Sequence, residues 1–318
     1  MKSVGFPISQ KANEKRRCLL PEDIACIKNK SHIFIESSYG SVLNYTDQDY
    51  TNAGVKVVSK DEVLSKDIIC DAKIGDAAYL DQLESQTIFG WVHAVQNRDI
   101  TDILVSNNIT AYAWEDMFES GRHTFWRNNE IAGEAAIYHA YPLLGRLPYE
   151  TNVAVIGRGN IARGAMRALI GMGAKVTVYD RNTEALLRKE IHKYHVIVNA
   201  ILWDTKRNDH IIYNDDLKLM RKGSMIIDIS CDAGGAIESS HATKLDKPIY
   251  MQDGVIHYSV DHTPSIFYKS TSSSLSKEVS LTIDLLIEDK PDNKLNKSLI
   301  VNCGEIIDSK IKEYQNRF

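Results

Sequence analysis

The sequence is short of the features that mark whole classes of protein. It has no block of lysine or arginine, and 38 Lys and Arg against 42 Asp and Glu leave a net charge of −4. A nucleic-acid surface is therefore not expected. No apolar run approaches the roughly 20 residues of a membrane span. Met1-Lys-Ser-Val-Gly-Phe6 leads into a strand-like segment without the apolar core of a signal peptide. Cys18, Cys26, Cys70, Cys231 and Cys303 are odd in number and scattered, with no CxxC pair and no metal spacing. Reduced thiols, no bound metal and a cytoplasmic location are expected. Internal repeats and low-complexity tracts are absent too. What remains is an ordinary globular composition, 43% apolar and 25% charged, over 318 residues, a length that suggests two domains.

The richest stretch is Val153-Ala-Val-Ile-Gly-Arg-Gly-Asn-Ile-Ala-Arg-Gly164, followed by Lys175-Val-Thr-Val-Tyr-Asp180. An apolar strand meets a glycine turn, a helix follows, and a second strand ends in an acid. This is the order of a dinucleotide site. Gly157 permits the tight turn. Gly159, with Arg158, Asn160 and Ile161 around the helix start, lets backbone N–H groups approach a pyrophosphate. Asp180 is placed to accept hydrogen bonds from the ribose hydroxyls. The third glycine of the usual fingerprint is replaced by Ala162, with Gly164 close by.

This site sits at mid-chain, so a different unit occupies the first part. Strand-like runs at His32–Glu36, Val55–Val58, Asp67–Cys70, Thr87–Trp91 and Ile109–Trp114 alternate with helical stretches such as Pro21–Lys28 and Thr46–Ala53. Alternation of this kind predicts a largely parallel sheet. A helix is predicted from about Arg127 to Leu144, ended by Gly145. Strands follow at 152–157, 175–180, 196–201 and 224–230, then a long helix over Ser270–Ile287. The Asp289–Lys297 stretch reads as a solvated loop. The expected fold class is α/β: two Rossmann-like domains with parallel sheets and an interdomain cleft. The first domain is discontinuous, 1–126 with 266–318, around a dinucleotide-binding domain at 127–265.

Several residues suit chemistry at strand ends, where open α/β sheets form their crevice. Arg16 and Arg17 can bind a carboxylate bidentately; the plainer reading is a solvated basic loop. Lys73 is read as the end of one strand and His93 as the end of the next. Asp232, followed by Gly234 and Gly235, suits a tight loop facing a ligand, or is simply a turn-forming Asp. Asp228 flanks the same strand end. The segment Val260–Tyr268 is a hinge or a site wall.

In order and spacing these segments resemble the alanine dehydrogenase/lysine-forming saccharopine dehydrogenase superfamily. The resemblance rests on Arg16-Arg-Cys-Leu-Leu-Pro21, Ala72-Lys73, Trp91-Val-His93, Gly157-Arg-Gly159, Ile227-Asp-Ile-Ser-Cys-Asp-Ala233 and Asp261-His-Thr-Pro264. Phe125-Trp-Arg-Asn128, Gly234-Gly-Ala-Ile-Glu238 and Thr263–Tyr268 look most similar to the branch that joins pyruvate to the side-chain amine of ornithine or lysine and reduces the imine. The resemblance implies that Arg16 binds the keto-acid carboxylate, that Lys73 contacts substrate and helps proton transfer, and that His93 is the general acid/base. It also implies that Asp232 lies beside the nicotinamide ribose and the substrate. Histidine exchanges protons near neutral pH, as imine chemistry needs. Arg127, Glu115 and Asp116 are candidates for the second amino-acid anchor by position, Arg127 foremost. The chain departs from alanine dehydrogenases at Ile74-Gly75, where those enzymes have Glu-Pro.

The expected partners are a small keto acid and an amino acid, in a homo-oligomer. NAD(H) is the favoured cofactor, because Asp180 repels a 2′-phosphate. NADP(H) is the alternative, since Arg158 and Arg181 oppose that repulsion and the resembling branch is associated with NADPH. Three other functions stay open: an ammonia-using amino-acid dehydrogenase of alanine dehydrogenase type, a saccharopine dehydrogenase-like enzyme, and a non-catalytic dinucleotide-binding sensor.

Overall fold

The structure, a computed structural model, describes residues 1–317 except 205, 206, 232 and 233. Sixteen strands are present among the described residues. In the first part of the chain these are β1 (Val4–Phe6), β2 (Ile33–Glu36), β3 (Lys56–Val58), β4 (Ile68–Cys70), β5 (Thr87–Gly90), β6 (Thr110–Ala113), and the short hairpin β7 (Phe118–Glu119) and β8 (Arg122–His123). Next come β9 (Asn152–Ile156), β10 (Lys175–Tyr179), β11 (Val196–Asn199), β12 (Met225–Asp228), β13 (Ile249–Gln252) and β14 (Val255–Tyr258). The chain ends with β15 (Leu299–Asn302) and β16 (Glu305–Ile306). It divides into two compact units: Met1–Trp126 with Tyr268–Phe318, and Arg127–Phe267.

The first unit carries an eight-stranded sheet in the order β16-β15-β6-β5-β4-β1-β2-β3. β1 to β6 are parallel, and β15 and β16 add antiparallel strands at one edge. The chain order reverses between β1 and β4, the topological switch point of a doubly wound sheet. The central strands are apolar and buried on both faces, as helix-covered parallel strands are. The long helix Tyr268–Ile287 returns to this unit with a buried stripe of small polar residues. Ser272 Oγ accepts the Arg17 N–H at 2.8 Å and Ser276 Oγ accepts the Leu20 N–H at 2.8 Å. These bonds satisfy the main chain of the loop that carries Arg16, which has no strand partner there.

The Asp289–Lys297 stretch departs from the expected loop. It contains a helix, Asn293–Ser298, started by Asp292, whose carboxylate accepts the Leu295 N–H at 2.9 Å. Leu295 is buried in the core.

The second unit holds a six-stranded sheet, β10-β9-β11-β12-β14-β13, parallel except for β13. Its switch point lies between β9 and β11. The hairpin β13–β14 turns at Asp253-Gly254, both with positive φ (50° and 80°), the conformation of a type I′ turn. The helices Trp126–Leu144 and Asn160–Gly171 pack closely, since a Cβ on Gly164 would lie 1.9 Å from the Glu130 carbonyl oxygen. Among the described residues no helix is long and apolar enough to cross a membrane.

Candidate active site

At the switch point of the first unit, the loops leaving β1, β4 and β5 bring together a set of ionisable side chains. Arg16 lies in the loop after β1 and is 3% exposed. Its Nε and Nη2 donate to the two carboxylate oxygens of Glu14 at 2.8 and 2.6 Å, and its backbone N–H adds a third bond at 2.9 Å. The guanidinium lies 5.4 Å from the centre of the Trp91 ring. Burial disfavours the Glu14 charge, but the charge and hydrogen bonds of Arg16, with Lys73 behind them, hold its pKa down at about 2. Arg17 is spent otherwise: Nε donates to the Tyr39 carbonyl and Nη1 to the Arg16 carbonyl. Of the two arginines, Arg16 is the one among the titratable groups, and neither is the solvated basic loop that its composition allows.

The structure corrects the expected strand ends. β4 stops at Cys70 and β5 at Gly90, so neither Lys73 nor His93 is a strand residue. Lys73 opens a 3-10 turn, Ile74–Asp76, with its N–H on Asp71 Oδ1 at 3.0 Å. Asp71 is buried, which raises its pKa; it also accepts the Tyr79 hydroxyl at 2.7 Å. Lys73 Nζ lies 3.4 Å from His93 Nε2 and 3.4 Å from Asp76 Oδ2, an oxygen that Lys11 also reaches at 2.9 Å.

His93 has φ +55°, a left-handed backbone that a residue with a Cβ adopts only when its surroundings hold it there. Glu115 provides part of that hold: Oε1 accepts the His93 N–H at 2.6 Å and Oε2 the Val92 N–H at 3.2 Å. Burial pushes the Glu115 pKa up to about 7 against those bonds. The two loops meet because of Gly75. Its N–H donates to Trp91 O at 3.1 Å, and a Cβ there would lie 2.0 Å from Val92 O. Proline has no such N–H, so the departure from Glu-Pro at this point has a geometric reason.

The second unit supplies a cradle of another kind. Gly157 has φ +113°, and a Cβ would meet Ala200 O at 2.9 Å. At Gly159 a Cβ would meet nothing within 4 Å, so the start of the helix Asn160–Gly171 is open. Asn160 accepts from the Arg163 guanidinium, and Ile161 packs into the core. Asp180 Oδ1 accepts from the Asn182 N–H and the Thr183 hydroxyl, both at 3.1 Å, while Oδ2 pairs with Arg158 at 3.0 Å. Arg181 lines a cavity of about 260 Å³ with Gly159, Glu184, Trp203 and Arg207. Positive φ at the turn, an open helix N-terminus, an acid one strand away and an adjoining cavity fit a dinucleotide.

Arg127 belongs to the second unit, where its guanidinium binds Glu130 at 3.0 Å and Glu134 at 3.1 Å on its own helix. Asp116 pairs with Lys310. Asp228, the last residue of β12, is buried and accepts the Asn199 amide at 2.8 Å. Asp232 lies outside the described residues.

Comparison with known proteins gives the family. The curated N(5)-(carboxyethyl)ornithine synthase of Lactococcus lactis subsp. lactis (strain IL1403) is 34% identical over 299 residues, covering 88% of this chain and 95% of its own. The chain belongs to the N(5)-(carboxyethyl)ornithine synthase family. A relative with the same name from Clostridium botulinum is 29% identical over 90% of this chain and 98% of its own.

Around that family stands the alanine dehydrogenase superfamily. The description "Alanine dehydrogenase/PNT, N-terminal domain" matches residues 5–125, and "Alanine dehydrogenase/PNT, C-terminal domain" matches 181–309. "D-isomer specific 2-hydroxyacid dehydrogenase, NAD binding domain" matches 115–238. A solved L-alanine dehydrogenase, 23% identical, shares the fold with a TM-score of 0.81 over 99% of both chains. As a member of the carboxyethylornithine synthase family the protein is an oxidoreductase that uses a nicotinamide dinucleotide.

Sequence reasoning missed three features of this candidate site. Glu14 and Asp71 are acids in basic or apolar surroundings, and nothing local marks them as partners of Arg16 and Lys73. The clearance at Gly75 is a contact with a loop 17 residues further on. A glycine two residues after a candidate lysine is the hint that the sequence offers.

Proposed function

We propose that this protein reductively joins an α-keto acid, by preference pyruvate, to the side-chain amine of an amino acid such as ornithine or lysine. The product is an N-(carboxyethyl) amino acid. In the first half the amine attacks the keto carbon, water leaves and an imine forms. In the second half the imine takes a hydride and a proton to give the secondary amine, and NAD(P)H becomes NAD(P)⁺. Gly157–Ile161 and Asp180 would hold the reduced nicotinamide that would supply that hydride.

The rest is the work of this chain's side chains. Arg16, held in place by Glu14, binds the keto-acid carboxylate. Lys73 contacts the substrate and passes protons with His93, which is the general acid/base for loss of water from the carbinolamine. Asp232 is assigned to the nicotinamide side and Arg127 to the amino-acid substrate. One observation carries the reading: the Lys73 Nζ to His93 Nε2 distance of 3.4 Å at a sheet switch point, beside the buried Arg16. A cation for a carboxylate and a proton-exchanging pair are what imine chemistry needs. A sensor needs neither.

An ammonia-using amino-acid dehydrogenase is the second reading, because alanine dehydrogenase relatives share both domains. Turnover of pyruvate with a reduced nicotinamide, with ornithine, lysine or ammonia as sole amine, separates the two. The 34% identity to named carboxyethylornithine synthases favours the first.

A further inference from the structure

The C-terminal segment reaches the loop that carries His93. Gln315 follows the helix Ser309–Tyr314 and is 5% exposed. Its Nε2 donates to Ala94 O at 2.8 Å, Val95 O at 3.1 Å and Thr101 Oγ1 at 2.9 Å. The Thr101 hydroxyl, fully buried, donates in turn to Ala94 O at 3.0 Å. The amide is itself fixed: Oε1 accepts from Arg317 Nε at 2.7 Å, and the Gln315 carbonyl accepts from Arg98 Nη1 at 3.2 Å. Ion pairs Lys310–Asp116 and Arg317–Asp102 fasten the segment on either side.

Ala94 and Val95 are the two residues after His93. His93 has a left-handed backbone that relaxes to an extended or right-handed one unless the chain on both sides is restrained. Glu115 restrains the peptide before it, through the His93 N–H. Gln315 and Thr101 restrain the second and third peptides after it, through the Ala94 and Val95 carbonyls. We propose that Gln315 is a positioning residue for His93: by gripping the Ala94 and Val95 carbonyls from the far end of the chain, it holds the imidazole within reach of Lys73.

This rests on the reading of His93 as the proton-transfer group. A glutamine at 315 offers N–H groups to two carbonyls; a carboxylate of the same shape offers them only lone pairs. Gln315→Glu therefore keeps volume and the bond from Arg317 but turns the grip into repulsion. Thr101→Val removes the second donor to Ala94 O in a near-isosteric way.

The experiment compares full-length wild type, Gln315→Glu, Thr101→Val and His93→Ala with pyruvate, ornithine and each reduced nicotinamide. The His93 ring C–H resonance is followed by NMR on histidine-labelled protein, together with dinucleotide binding and melting temperature. The expected result is a kcat lowered about ten- to a hundredfold in Gln315→Glu, the scale of a misplaced catalytic group. Thr101→Val falls less, the KM for pyruvate stays within about twofold, dinucleotide binding is unchanged, and the His93 resonance moves in both. Two results overturn the proposal while leaving His93 its role: kcat within about twofold of wild type in both variants when His93→Ala is inactive, or activity lost only in proportion to melting temperature and dinucleotide binding. Near-normal turnover in His93→Ala overturns the reading beneath it. If Gln315→Glu fails to fold, Thr101→Val carries the same comparison.

Discussion

Lys73 Nζ and His93 Nε2 lie 3.4 Å apart, although twenty residues separate them in the chain and neither belongs to a strand. At that distance the two nitrogens lie within hydrogen-bonding reach of each other. His93→Ala should lower kcat by about 10²–10⁴-fold, the usual loss for a general acid/base. Dinucleotide affinity should hold, since His93 lies in the first unit and the glycine turn in the second. Near-wild-type turnover would remove His93 from the mechanism.

Arg16 and Arg17 are adjacent and equally buried, yet their partners differ. Arg16→Lys keeps the charge and loses the planar fork, so the KM for the keto acid should rise. Arg17→Lys loses donors to the Tyr39 and Arg16 carbonyls, so melting temperature should fall with little change in that KM. Steady-state kinetics and thermal melts of the two variants check this; a KM effect confined to Arg17 would shift the anchor by one residue.

Glu14 fixes the sign of an acid response. Its folded pKa of about 2 lies below the ordinary 4.5, so the folded state binds this proton less readily than the unfolded one. The stability it contributes is present above pH ~4.5 and is lost as pH falls toward 2. It amounts to about 3 kcal/mol, at 1.36 kcal/mol per pKa unit. Glu14→Gln should be less stable than wild type at neutral pH, because the buried Arg16 loses the carboxylate charge that faces it. The difference should shrink on acidification through that window. A gap constant from pH 6 to pH 2.5 in denaturant melts would contradict it.

Gly75→Ala places a Cβ 2.0 Å from Val92 O. Backbone must shift, at a cost of about 1–3 kcal/mol, and the shift separates Lys73 from His93. We expect kcat to fall while dinucleotide binding, measured by fluorescence titration, stays intact. Unchanged kcat would mean that the two loops tolerate a different spacing.

Cofactor choice turns on one ion pair. Asp180 Oδ2 is already neutralised in part by Arg158 at 3.0 Å. NADH should still be favoured in kcat/KM, because the carboxylate accepts ribose hydroxyls and repels a 2′-phosphate. Asp180→Ala should narrow the gap and Arg158→Ala should widen it. A wild-type preference for NADPH would mean that Arg158 and Arg181 dominate.

The dinucleotide cradle was legible because its signals are local: strand, glycines, helix and acid fall within Val153–Asp180. The candidate residues of the first unit were legible as types, from their position near strand ends. Their geometry was not. Strand-like residues run on past Cys70 and Gly90, and only the contact between Gly75 and Val92 shows that the chain has already turned. Glu14 and Glu115 gain their roles from partners and burial, which composition does not encode. Two misses had signals in the sequence. Asp253-Gly254 between Ile249–Gln252 and Val255–Tyr258 is a hairpin turn. Asp292, three residues before buried Leu295, is a helix cap inside a polar stretch.

The identity of the product separates reductive condensation from ammonia-dependent dehydrogenation. The protein is incubated with pyruvate, NADH or NADPH, and a mixture of ornithine, lysine and ammonium, and the products are weighed by mass spectrometry. The account predicts an N-(carboxyethyl) derivative of ornithine or lysine, formed in step with nicotinamide oxidation and absent when the diamino acids are left out. Alanine as the sole product, formed equally well from ammonium alone, would contradict it.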